Sequence, residues 1–68
     1  MGDLVKDILE VLLHKGEVKL IELISMLNAS DEKVRSAVNT LESLGLIDVE
    51  KGNDLSVRLS SEARRLLQ

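Results

Sequence analysis

The sequence predicts an α+β fold, mostly helical, in which three helices form a core, a β-hairpin follows and a short helix closes the chain. Two observations carry this. The hydrophobic period changes at Gly45: before it Val34, Val38, Leu41 and Leu44 recur at three- and four-residue steps, as one buried helical stripe does. After it Ile47 and Val49, then Leu55, Val57 and Leu59, alternate with Asp48, Glu50, Ser56 and Arg58, as in two strands with one buried face each. The second observation is KGND at residues 51–54, between those runs. Gly52 and Asn53 accept the positive φ angles of a tight reversal, so the strands are expected to pair as an antiparallel hairpin with its tip in solvent.

The remaining elements follow from caps and periodicity. Asp3 is placed to cap a first helix over residues 4–15, and Gly16 supplies the permissive position after its end. Leu4, Val5, Ile8, Leu9, Val11 and Leu12 give that helix a wide apolar face. Residues 17–19 leave room for a short strand. A second helix over 20–27 buries Leu20, Leu23, Ile24 and Leu27, with Asn28 expected to end it in a left-handed conformation. Ala29 makes a tight turn, and Ser30 caps the third helix, with Asp31 and Glu32 in its first turn. Two helices joined so closely read as a helix-turn-helix. Ser60 or Ser61 caps a last helix over 62–67 that is expected to return Ala63, Leu66 and Leu67 to the core.

At 68 residues the chain is read as a single domain, residues 1–68, of a size that buries only about 60% of its unfolded surface. Its core must be Leu, Ile and Val alone, because Phe, Trp, Tyr, Cys and Pro are absent. Without cysteine there are no disulfides or thiolate metal sites, which fits a reducing cytoplasm. No apolar run approaches the ~20 residues that span a bilayer, so no membrane partner is expected. An enzyme is not indicated either. His14 is the one histidine and is expected simply to end the first helix, and neither a Gly-rich phosphate loop nor a ligand-spaced cluster appears. No catalytic residue, metal or cofactor is assigned.

The net charge of −3 opposes binding of nucleic acid by bulk electrostatics. The charge is uneven, however. Residues 1–32 carry seven acids against Lys6, Lys15 and Lys19, whereas residues 33–68 carry six bases, among them Arg35, Arg58, Arg64 and Arg65, against five acids. Arg64 and Arg65 suit the end of the last helix through its dipole without any ligand.

The segments LIELISMLNASDEKVRSAVNTLESLGLI, VEKGNDLSVRL and LSSEARRLL together resemble the winged-helix superfamily along nearly the whole chain. The likeness is to compact archaeal and bacterial regulators and to winged-helix modules appended to larger enzymes. The last segment is similar to the L-T-x-x-G-x-x-L close of many such domains, with Ala63 where glycine is frequent. The resemblance implies a winged helix-turn-helix whose third helix, residues 31–44, enters the major groove of double-stranded DNA while the wing, residues 50–55, meets the backbone or the minor groove. With the apolar stripe inside, Lys33, Arg35, Ser36, Asn39, Thr40 and Ser43 are expected on the exposed face. Arg35 and Asn39 sit one turn apart and are the candidate base readers, since Arg pairs with guanine and Asn with adenine. Lys33, Ser36 and Thr40 suit phosphates, and Lys51 and Arg58 could clamp the backbone, although Glu50 and Asp54 lie beside them. A solvated face needs polar residues in any case, and Arg58 is also placed for a cross-strand pair with Asp48 or Glu50.

A transcriptional regulator acting as a homodimer is therefore expected, with Val5 and Leu13 on the first helix as a candidate dimer surface, the alternative being that this helix is simply the central core helix. The acidic first half and acid-rich wing fit a second class, a winged helix that binds a protein partner. A third is an accessory tRNA-recognition module such as those similar to it in archaeal phenylalanyl-tRNA synthetase α-subunits. Binding to DNA predicts that Lys33, Arg35, Lys51 and Arg58 share one face, whereas a protein-interaction module predicts an apolar or acidic patch there.

Overall fold

The computed structural model describes residues 3–67, with the backbone alone for Asp3. The elements are α1 (Asp3–Lys15), β1 (Glu17–Lys19), α2 (Leu20–Met26), α3 (Asp31–Ser43), β2 (Ile47–Glu50), β3 (Ser56–Leu59) and α4 (Ser61–Leu67). The capping role expected of the Asp3 side chain lies outside the described residues.

Glycine ends α1 as anticipated. Gly16 takes φ 84° and its N–H donates to the Leu12 carbonyl at 2.8 Å, so the last turn is closed by a left-handed residue that has no Cβ to clash. The chain then extends through β1 into the sheet. α2 ends differently from expectation: Leu27 turns into extended backbone at φ −96°, ψ 144°, and Asn28 does not enter the left-handed region. Leu27 and Ala29 stay half-buried against the core, so their packing draws the chain across to α3 without a left-handed residue.

Ser30 begins α3, its hydroxyl accepting from the Lys33 N–H at 3.2 Å. At the other end Gly45, at φ 76°, donates to the Glu42 carbonyl and Leu46 donates to the Leu41 carbonyl, each at 3.0 Å. These two bonds form a Schellman motif, and they turn the helix directly into β2. Leu44 is left on the outside, 66% exposed, contrary to its place in the predicted stripe. As the last residue before the reversal it no longer follows the helical face that buries Val34, Val38 and Leu41.

β1, β3 and β2 form an antiparallel sheet in that order, with Val18 and Val49 both opposite Val57, and Ile47 opposite Leu59. Those side chains share the inner face, against which α1 packs Ile8 and Leu12, α2 packs Leu23, and α3 packs Val34, Val38 and Leu41. The 51–55 connection makes its reversal with Gly52 and Asn53 both outside the positive-φ region, so it is a wider loop than the tight turn expected.

Ser60, not Ser61, caps α4. Its hydroxyl accepts from the Ala63 N–H at 3.1 Å and donates to the Gly45 carbonyl at 2.7 Å, while its N–H donates to Leu46. Of the apolar residues of α4 only Ala63 reaches the core; Leu66 and Leu67 are 80% and 46% exposed.

Candidate nucleic-acid interface

The α3 residues singled out from the sequence, Lys33, Arg35, Ser36, Asn39, Thr40 and Ser43, are all exposed. They do not form one patch. Ser36, Asn39 and Ser43 follow steps of three and four residues and make the outermost ridge, continued toward the N-terminus by Glu32. Lys33 and Arg35, two residues apart and so about 200° apart around the helix, lie on opposite flanks of that ridge. The Thr40 hydroxyl donates to the Ser36 carbonyl at 3.1 Å, which ties it to its own helix.

The flank that carries Arg35 faces the hairpin. There Arg35, Asn39, Glu42 and Lys51 surround a groove of about 280 Å³ floored by Leu20, Val38, Val49 and Leu55. A smaller depression of about 230 Å³ continues past Arg35 to Asn53 and Asp54 at the loop tip. The loop is steadied by an ion pair between Lys19 Nζ and Asp54 Oδ2 at 3.6 Å and by the Leu20 N–H bond to the Leu55 carbonyl at 2.8 Å. β1 thus fixes how the loop stands beside α3, although Lys19 was not among the residues picked out by sequence.

Arg35 is held within its own helix. Its Nε donates to Asp31 Oδ1, one turn earlier, and both side chains are more than half exposed. The (i, i+4) spacing of Asp31 and Arg35 was the available signal for this pair. Arg58 stands apart from the rest. It lies on the outer face of the sheet, opposite Glu17 on one side and Asp48 on the other, with its guanidinium 3.9 Å from Glu50. The expectation that Lys33, Arg35, Lys51 and Arg58 share one face is therefore corrected: Arg35 and Lys51 meet with Asn39, while Lys33 and Arg58 look elsewhere. Strand alternation explains it, because burying Val57 and Leu59 turns Arg58 away from α3.

His14 donates from Nδ1 to the Glu10 carbonyl at 2.9 Å and ends α1 on the surface. Among the described residues no group of three or more His, Cys, Asp or Glu side chains is arranged to hold a metal ion, and no helix is long and apolar enough to cross a membrane.

Solved structures share this backbone. BpsR of Bordetella bronchiseptica, studied for the regulation of its DNA binding by 6-hydroxynicotinic acid, matches 98% of the chain with a TM-score of 0.84 at 18% identity. A probable transcriptional regulator from Pseudomonas aeruginosa matches 93% with a TM-score of 0.83 at 24% identity, and ZitR of Lactococcus lactis matches 94% with 0.84 at 18%. The fold is a winged helix. The match spans 51% of each of these three structures, so the chain corresponds to about half their length. No family model and no curated protein matches the chain. In winged-helix terms α2 and α3 are the helix-turn-helix and the 51–55 loop is the tip of the wing, and the groove with Arg35, Asn39 and Lys51 lies between them.

Proposed function

We propose that the chain is a DNA-binding winged-helix domain of a transcriptional regulator, without enzymatic activity of its own, that sets α3 into the major groove. The observation that carries this reading is the agreement of nearly its whole backbone with solved regulators, one of them studied for its DNA binding. In this arrangement the outer ridge of Ser36, Asn39 and Ser43 meets the base edges and nearby phosphates. Asn39 reads adenine, and Arg35 reads guanine after leaving Asp31. Lys51 holds the backbone on the wing side and Lys33 on the opposite flank, where Thr40 joins it once its hydroxyl leaves the Ser36 carbonyl. Arg58 takes no part, because Glu17, Asp48 and Glu50 surround it on a separate surface. A reducing cytoplasm suits a chain without cysteine. Two copies acting together would present two α3 helices to successive major grooves of a palindromic site.

Selection from a pool of random duplexes at two salt concentrations tests the proposal. A defined motif is expected, with binding weakened at the higher salt and with the preference relaxed at one base position by Asn39→Ala and at another by Arg35→Ala. Absence of binding at low salt would overturn it and direct attention to a protein partner.

A further inference from the structure

The outermost ridge of α3 begins with an acid. Glu32, Ser36, Asn39 and Ser43 follow one another at steps of three and four residues and all are exposed, so the Glu32 carboxylate stands in line with the groups that face base edges in the proposed docking. It belongs to the first turn of the helix. Asp31 beside it is taken up by Arg35, whereas Glu32 makes no ion pair among the described residues. Lys33, next in sequence, lies about 100° further around the helix and is left to the flank. A negative charge near a helix N-terminus is favoured by the dipole, but Asp31 already meets that need, and the dipole does not require an acid on the ridge itself.

A helix docked in the major groove presents its N-terminal residues to the base edges. A carboxylate carried there is repelled by guanine N7 and O6, by thymine O4 and by adenine N7, which stands beside the adenine amino group. Cytosine alone shows an amino donor with no acceptor on the same base. Asn39 follows Glu32 by two turns on the same ridge, which is about 10 Å along the helix, and bases stack at about 3.4 Å. We propose that Glu32 is a specificity-determining residue whose carboxylate accepts a hydrogen bond from the N4 amino group of a cytosine, about three base pairs from the adenine that Asn39 reads. This inference rests on the proposed docking of α3. It gives the acid at the head of the ridge a partner among the bases, where no phosphate would serve.

Selection from random duplexes is expected to return a motif with cytosine about three base pairs from the Asn39-dependent adenine, preferred about five- to twentyfold over the other bases. Glu32→Ala should relax that preference to within about twofold, and Glu32→Gln should replace it by adenine, because an amide pairs with adenine N6 and N7 where a carboxylate cannot. Both variants should keep the adenine that depends on Asn39. A second readout removes the amino group from the DNA instead. A duplex with that cytosine replaced by 2-pyrimidinone should bind the unaltered chain about five- to twentyfold more weakly, whereas Glu32→Ala should bind both duplexes alike. A role of Glu32 confined to helix stability would move neither readout. A cytosine preference kept by either variant, or an Asn39-dependent motif without cytosine at that spacing, overturns this inference and leaves the docking of α3 standing. Absence of any motif overturns both.

Discussion

Ser60 is the residue on which the closing of the fold turns. It is 8% exposed, and its hydroxyl both donates to Gly45 and accepts from Ala63, so one side chain caps α4 and ties it to the loop that ends α3. Removing it leaves the Ala63 N–H and the Gly45 carbonyl short of a partner in partly buried positions. Ser60→Ala is therefore expected to cost about 1–2 kcal/mol in urea unfolding, while Ser61→Ala, at an exposed position, should cost no more than about 0.5 kcal/mol. The sequence offered both serines as caps, and only the long-range bond to Gly45 distinguishes them. At the surface proposed to face DNA the corresponding residue is Asp31. Its carboxylate occupies the Arg35 guanidinium and would stand close to incoming phosphates. On the proposed function, Asp31→Asn should raise affinity for the selected duplex about two- to fivefold in an anisotropy titration, because Arg35 is released and a repulsive charge is removed. The same change should cost a few tenths of a kcal/mol in helix stability, since Asp31 also favours the first turn of α3. Unchanged affinity would mean that Arg35 does not meet the DNA.

Among the elements, the junction of α3 and β2 shows why the order of the fold was readable before its packing. The change from helical to alternating period is a local signal, and it coincides with the one residue type that fits φ 76° at low cost. A Cβ at Gly45 would meet no atom within 4 Å, so the penalty for Gly45→Ala is conformational and not steric crowding. It is expected to be about 1–2 kcal/mol by urea unfolding, and the same size is expected at Gly16, where φ is 84° and the space is equally open. Helix ends marked by glycine or by Ser30 were thus legible. The end of α2 was not, because Leu27 and Ala29 stop it through tertiary packing, and no short-range rule contains that. Leu44, Leu66 and Leu67 were misplaced for a related reason: periodicity assigns a face, but whether another element covers the last turn depends on how the chain is folded around it. The pairing of β1 with β3 is likewise non-local, joining residues 17–19 to 56–58. That pairing, through Lys19 and Asp54, sets the wing beside α3, so the candidate site was legible as a list of α3 residues and not as a groove.

On the scale of the whole molecule the question is how a chain of net charge −3 would engage a polyanion. The answer proposed here is local. α3 and the wing bring Arg35, Lys51 and Asn39 to one groove, Lys33 to the far flank of the same helix, and leave Arg58 on another face among acids. Phosphate binding releases counterions in proportion to the number of phosphates neutralised, with a slope of log K against log salt of about −0.9 for each. If the contacting bases are Lys33, Arg35 and Lys51, the slope per chain is about −3, shallow for a DNA-binding protein and in keeping with the acidic remainder of the surface. The substitutions then separate the two faces. Lys51→Ala should reduce the magnitude of the slope by about 1 and weaken binding to all duplexes alike, because a phosphate contact carries no sequence preference. Arg58→Ala should leave both slope and affinity unchanged. Titrations from about 50 to 300 mM salt decide the matter: a slope that falls with Arg58→Ala and not with Lys51→Ala would place the DNA across the outer face of the sheet, and the assignment of α3 to the major groove would have to be abandoned.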